Sequence, residues 1–200
     1  GAIAREIRLR VAPDIQLQPT ESRPVNPDAY LTYLRARYFW NKRTAEDLRR
    51  AVACFRQSID QDPTYSPAYA GLSDAYMLLG SMGYDAMPPK EAMPLAKAAA
   101  SQALLLDESS AEAHASLAHV MFAFEWTWND AEREFKRAIE LNPNYATAHE
   151  WYGHLLLATG RFHEAYAEFR HALDLDPLSL PCNLAIGYWY YCSKDLESAA

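Results

Sequence analysis

Residues 149–154 read HEWYGH, two histidines and a glutamate of the kind that hold a zinc ion and activate its water. The helical zinc signature HExxH sets its histidines four apart, about 40° around the helix, so that both reach one metal beside a basic glutamate. Here the separation is five. His149 and His154 would project about 140° apart on a helix of 3.6 residues per turn, and a regular backbone cannot bring both to one ion. The rest of the chain offers no glycine-rich phosphate loop, no workable metal triad and no nucleophile motif. Neither catalysis nor a bound metal or cofactor is therefore expected.

A second copy accounts for the histidines. Residues 111–122 read AEAHASLAHVMF and residues 146–157 read ATAHEWYGHLLL, so His114 and His119 precede His149 and His154 by 35 positions each. A period in the thirties marks stacked supersecondary units that cannot bury their apolar faces alone. Small residues (Ala51, Ala131, Ala138, Ala165, Ala172) recur where helices must approach to about 8–10 Å. The segments ELNPNY and DLDPLS end helices, because proline lacks the amide hydrogen and disfavours a helical residue before it. Nothing reads as a strand, and the expected class is all-α.

From residue 146 the chain runs ATAHEWYGHLLLATGRFHEAYAEFRHALDLDP, which resembles the tetratricopeptide repeat, a helix-turn-helix unit of about 34 residues. Tyr152, Gly153 and Leu156 match the first helix, with His149 in place of the signature Trp; Gly160 ends it. Ala165, Phe169 and Ala172 mark the second helix, and Pro177 follows. Upstream, Leu117, Ala118 and Met121 precede Ala131, Phe135, Ala138 and Pro143, with one extra residue in the turn. Before that, Tyr69, Leu72, Ser73, Tyr76 and Gly80 form a first helix whose partner, with Ala96, Ala100 and Ala103, is delayed by an inserted loop. Ala51, Phe55, Ser58 and Pro63 follow an aromatic first helix around Tyr30 to Trp40. Ile186, Gly187 and Tyr190 start a fifth unit, and Ala199 falls where its second helix should begin.

The resemblance implies a right-handed α-solenoid with repeats at about 28–63, 66–108 (insertion 81–91), 111–143 and 146–177, and a partial one at 180–200, an excerpt of a longer stack. Residues 12–27, with Pro13, Pro19, Pro24 and Pro27, read as a linker, and residues 1–11 as the tail of an upstream domain. Longer phrases, among them AIAREIRLR, YLRARYFWNKRT and EWTWNDAEREFKRAIELNPNYATAHEWYG, are similar to the C-terminal repeat region of large bacterial proteins. In those proteins an output module, often a CadC-type winged helix and sometimes a kinase or cyclase, is joined through a TolB-like segment to the repeats. A sensory or regulatory arm is the implied role.

Composition limits the partners. Net charge is −7, yet residues 1–60 hold 11 basic against 7 acidic side chains, leaving 8 against 19 in the remainder. So acidic a surface repels phosphate backbones, and no nucleic acid is expected on the later repeats. No run approaches the roughly 20 apolar residues of a membrane helix, and no signal peptide is recognisable. The compartment stays open between the cytoplasm and the far side of a membrane. Cys54, Cys182 and Cys192 have no CxxC spacing and read as buried small hydrophobes.

In the resembled family the first helices line a concave face that accepts peptides or partner helices, and the residue after the small signature position points there. This assigns Asp74, His119, His154 and Tyr188, and one turn on Met77, Phe122, Leu157 and Tyr191, to a partner-binding groove. The ladder holds no Lys, Arg or Asn, which argues against recognition of chaperone C-terminal carboxylates. His119 and His154, if close, would titrate between about pH 5 and 8. His114 and His149 are expected to pack within their repeats. Met82, Tyr84 and Met87 of the inserted loop suit an adaptable accessory contact. Trp126 and Trp128 either close a core edge or anchor a partner. The expected function is a protein-interaction scaffold taking a protein or peptide segment; a small-molecule sensor with an apolar groove is the rival.

Overall fold

In a computed structural model, which describes residues 25–81, 83 and 86–193, the described residues form helices joined by turns and short connections. The helices are α1 (Pro27–Asn41), α2 (Ala45–Gln61), α3 (Ser66–Leu79), α4 (Pro89–Leu106), α5 (Ala111–Val120), α6 (Trp128–Leu141), α7 (Ala146–Ala158), α8 (Phe162–Leu175) and α9 (Leu180–Ser193). Local chemistry starts several of them. Side chains of Asn26, Thr44 and Ser110 accept the backbone N–H groups of Asp28, Asp47 and Ala113, each meeting an amide the helix leaves unpaired. Between repeats, Asp62, Asp107 and Asn142 accept the N–H two residues on and close matching turns. The second repeat keeps its turn although Glu108 replaces proline, because Asp107 makes the bond.

Each helix packs on the next, and α1, α3, α5, α7 and α9 also adjoin one another in succession. The first helices of the repeats therefore form one layer and the second helices the other, a solenoid of helix pairs with its core running between the layers. Phe55, Phe135 and Phe169, one from each of three second helices, are fully buried there. Gly153 lets α7 and α8 meet: a Cβ at that position would stand 2.5 Å from the Phe169 ring.

Two departures from a regular repeat have visible causes. The extra residue of the third unit is absorbed by a π-helical turn, Met121–Glu125, which takes in one more residue before the chain reverses. Trp126 then adopts φ 61°, the left-handed conformation that Gly160 (φ 80°) takes at the matching place in the fourth unit. After the inserted loop, α4 begins at Pro89, inside the segment read as insertion, because Pro89 sits in the first turn, where a missing N–H costs nothing. The proposed upstream tail (1–11), the linker as far as residue 24, Met82, Tyr84 and residues 194–200 with Ala199 lie outside the described residues. Among the described residues, no helix is long and apolar enough to cross a membrane.

Candidate functional site

The first-helix layer carries a recess of about 430 Å³. Met77 and Leu78 at the end of α3, Trp151 on α7, and Leu184 and Ala185 on α9 give it an apolar floor. His119 of α5, Glu150 and His154 of α7 and Tyr188 of α9 complete the wall with Ser81 and Arg43. Arg43 belongs to the α1–α2 turn, where it takes φ 54°, and its guanidinium lies 3.7 Å from the centre of the Trp40 ring. Curvature of the stack thus lets a turn of the first repeat share a recess with the fifth. A wider depression of about 600 Å³ runs along α6. Its walls are alternating charges paired along the helix, such as Lys136–Glu132 at 2.8 Å and Arg137–Glu140 at 3.4 Å, a solvated helix face without an apolar floor.

Of the residues assigned to a groove from sequence, the recess collects Met77, His119, His154 and Tyr188. Asp74 is fully buried and offers no groove surface. Its carboxylate stands 3.5 Å from Arg37 of α1 and accepts the Ser116 hydroxyl of α5. Burial pushes the Asp74 carboxyl up to about 6 against the opposing pull of Arg37 and Ser116. Leu157 is buried in the core, and Phe122 is half-buried against that core, edge-on to His119 at 6.0 Å. Tyr191 is exposed and lies outside the recess. Met87 of the inserted loop packs partly on the core and donates its N–H to the Leu79 carbonyl at 3.1 Å, while Arg49 bonds the Ala86 carbonyl.

His119 behaves differently from its sequence reading. Burial, with the charge of His154 second, pushes the His119 pKa down to about 3, so this ring does not titrate between pH 5 and 8. Its Nδ1 is buried without a hydrogen-bond partner, and the ring stands edge-on to Trp151 at 4.8 Å. His154 bonds Glu150, one turn earlier on α7, at 2.9 Å. His149 faces elsewhere: Nδ1 meets Glu168 of α8 at 2.6 Å and Nε2 the Pro143 carbonyl at 2.9 Å. His114 repeats the arrangement with Glu134 at 2.6 Å and the Glu108 carbonyl at 3.0 Å. The histidine at the Trp position therefore clips together the two helices of its repeat and the turn before it. HEWYGH spans two unrelated tasks, and His149 and His154 share no partner.

Trp151 and Leu184 were missed although their signals were present. Trp151 is the bulky neighbour of a signature position, and Leu180, Leu184 and Tyr188 recur every fourth residue on α9. Arg43 had no such signal, since only the curvature of the whole stack brings it near.

Helix pairs stacked with their first helices side by side make the chain a tetratricopeptide-repeat solenoid, a fold typical of protein–protein interaction and of non-catalytic scaffolds. Residues 128–179 match the tetratricopeptide repeat family model. Among solved structures, a thermophilic TPR protein of Thermus thermophilus superposes with a TM-score of 0.65 at 22% identity, covering 82% of each chain. Transcriptional regulator HilA of Salmonella typhimurium (strain LT2) is 26% identical over 170 residues, covering 84% of this chain and 30% of the regulator. Tetratricopeptide repeat-containing protein trd-1 of Caenorhabditis elegans is 41% identical over 68 residues, covering 32% of this chain and 8% of that protein. The chain thus spans less than a third of the length of either relative.

Proposed function

We propose that the chain is a protein-interaction scaffold that receives a segment of a partner protein in the recess of its first-helix layer, as the regulatory arm of a larger bacterial regulatory protein. The observation that carries this reading is the recess itself. Four successive first helices contribute to one apolar concavity, the extended inner surface that repeat proteins use for binding. Similarity to a transcriptional regulator across most of the chain supports the regulatory setting.

The test uses the 200-residue chain as bait beside a variant carrying Leu184→Ala and Tyr188→Ala, two exposed residues of the recess. A protein retained by the first and lost by the second is identified by mass spectrometry, purified, and titrated against both by calorimetry. A loss of about tenfold or more in affinity, with unchanged circular dichroism, is expected for removal of central contacts. Equal affinity would move the site off the recess. Phe122→Ala is a poorer probe, because Phe122 packs on the core.

The size of the recess also favours a second reading, a small apolar ligand, since about 430 Å³ lies within the range of ordinary ligand cavities. A compound screen by thermal shift separates the two, because a ligand bound only to the folded state raises the melting temperature with concentration.

A further inference from the structure

Resting on the reading of the recess as a partner-binding site, we infer that it takes one bulky neutral side chain, aliphatic or aromatic, presented by a lysine- or arginine-rich segment of the partner protein. The anchor follows from the wall. Met77, Trp151 and Leu184 are apolar, and each charged group beside them is already engaged: Glu150 bonds His154 at 2.9 Å, and the Arg43 guanidinium lies on the Trp40 ring. His119, with its pKa near 3, adds no charge at neutral pH. An ionised anchor would lose its water among these apolar side chains and meet a like charge in the wall, Glu150 for an anion and Arg43 for a cation, whereas a leucine or phenylalanine loses no hydration it needs.

The flanks follow from the field around the recess. With the first repeat and its Arg43 included, the whole chain holds 19 basic against 26 acidic side chains, and α9, which forms one whole side of the recess, contributes no charge between Leu180 and Ser193. An approaching segment therefore meets apolar surface at the recess within a net negative potential, which draws in cationic chains and repels acidic ones.

Fluorescent short peptides are titrated against the 200-residue chain by anisotropy, at low and at high salt. The set carries a central Leu, Phe, Ala or Glu between lysine and arginine residues, and the Leu and Phe members are repeated with aspartate and glutamate flanks. Basic Leu and Phe peptides are expected to bind, about tenfold or more tighter than the Ala member, with affinity falling as salt rises. The Glu-anchored and acid-flanked members should not bind measurably. Leu184→Gln, at a side chain 63% exposed and so tolerant of a polar group, should remove the preference for Leu over Ala. Tyr188→Ala provides a second probe of the same wall should Leu184→Gln disturb folding.

Equal binding of Ala and Leu peptides, equal binding of acid-flanked peptides, persistence of the preference in both variants, or no binding by any member would each overturn the inference. Its failure is distinguishable from failure of the scaffold reading. A native partner whose affinity falls with Leu184→Ala and Tyr188→Ala, beside a silent peptide set, refutes this anchor chemistry and leaves the recess as the partner site. Peptides that bind as expected, beside a partner indifferent to those substitutions, do the reverse.

Discussion

The imidazole of His149 stands between a carboxylate and a carbonyl, both acceptors, so its geometry favours a ring that donates from both nitrogens. Burial pulls its pKa down, but Glu168 and the Pro143 carbonyl outweigh that pull, and the net shift is upward. A group whose folded pKa is raised contributes stability that is fully present below its unfolded value, about 6.5, and lost as pH rises through the folded value. His119 has the opposite sign. Its folded pKa, near 3, lies below the unfolded value, so its contribution is present above about 6.5 and lost as pH falls towards 3. Urea unfolding across this range checks both. The stability of wild type relative to His149→Gln should fall as the solution turns alkaline, and relative to His119→Leu it should fall as the solution turns acid. The His171 ring lies 4.4 Å from His149, so His171→Gln serves as the background for the first comparison. A difference that does not change with pH would mean that neither ring changes its proton affinity on folding.

At the scale of helices, two glycines at the same signature position report what their repeats enclose. A Cβ on Gly153 would meet the Phe169 ring at 2.5 Å, whereas a Cβ on Gly187 would meet nothing within 4 Å. Gly153→Ala should destabilise the fold by about 1–3 kcal/mol through overpacking between α7 and α8. Gly187→Ala should stabilise it by about 0.5–1 kcal/mol, since alanine is the better helix former and nothing opposes the methyl group. Calorimetric melting of both variants gives the answer, and a destabilised Gly187→Ala would show that a helix covers that face of α9. Much of this level was legible beforehand: prolines and small residues act over a few positions, so the helical class and the repeating unit could be read directly. The surface of the groove was less so. Asp74 and His154 occupy equivalent positions, yet Asp74 is sealed between Arg37 and Ser116 while His154 lines the recess, a difference made by neighbours one repeat away.

A solenoid holds together by contacts between adjacent repeats, so a buried bond spanning several repeats affects the whole molecule more than its size implies. Asp74 makes such a bond. From the second repeat it pairs with Arg37 of the first and accepts a hydrogen bond from Ser116 of the third. Asp74→Ala leaves the Arg37 charge without this partner, a change that costs about 3–5 kcal/mol for a fully buried pair and about 2–3 here, because Arg37 keeps a quarter of its side chain in solvent. The loss should not be uniform. Among the described residues, α1 and α2 meet the rest of the stack on one side only, so uncoupling them lets that end open while later repeats stay closed. Amide hydrogen exchange read by mass spectrometry should show protection falling in α1 and α2 and holding in α6 to α8. An even loss along the chain would mean that the stack opens as one cooperative unit, with the Asp74 link strengthening all repeats alike. Loss confined to α3 and α5 would place its effect within the groove layer alone.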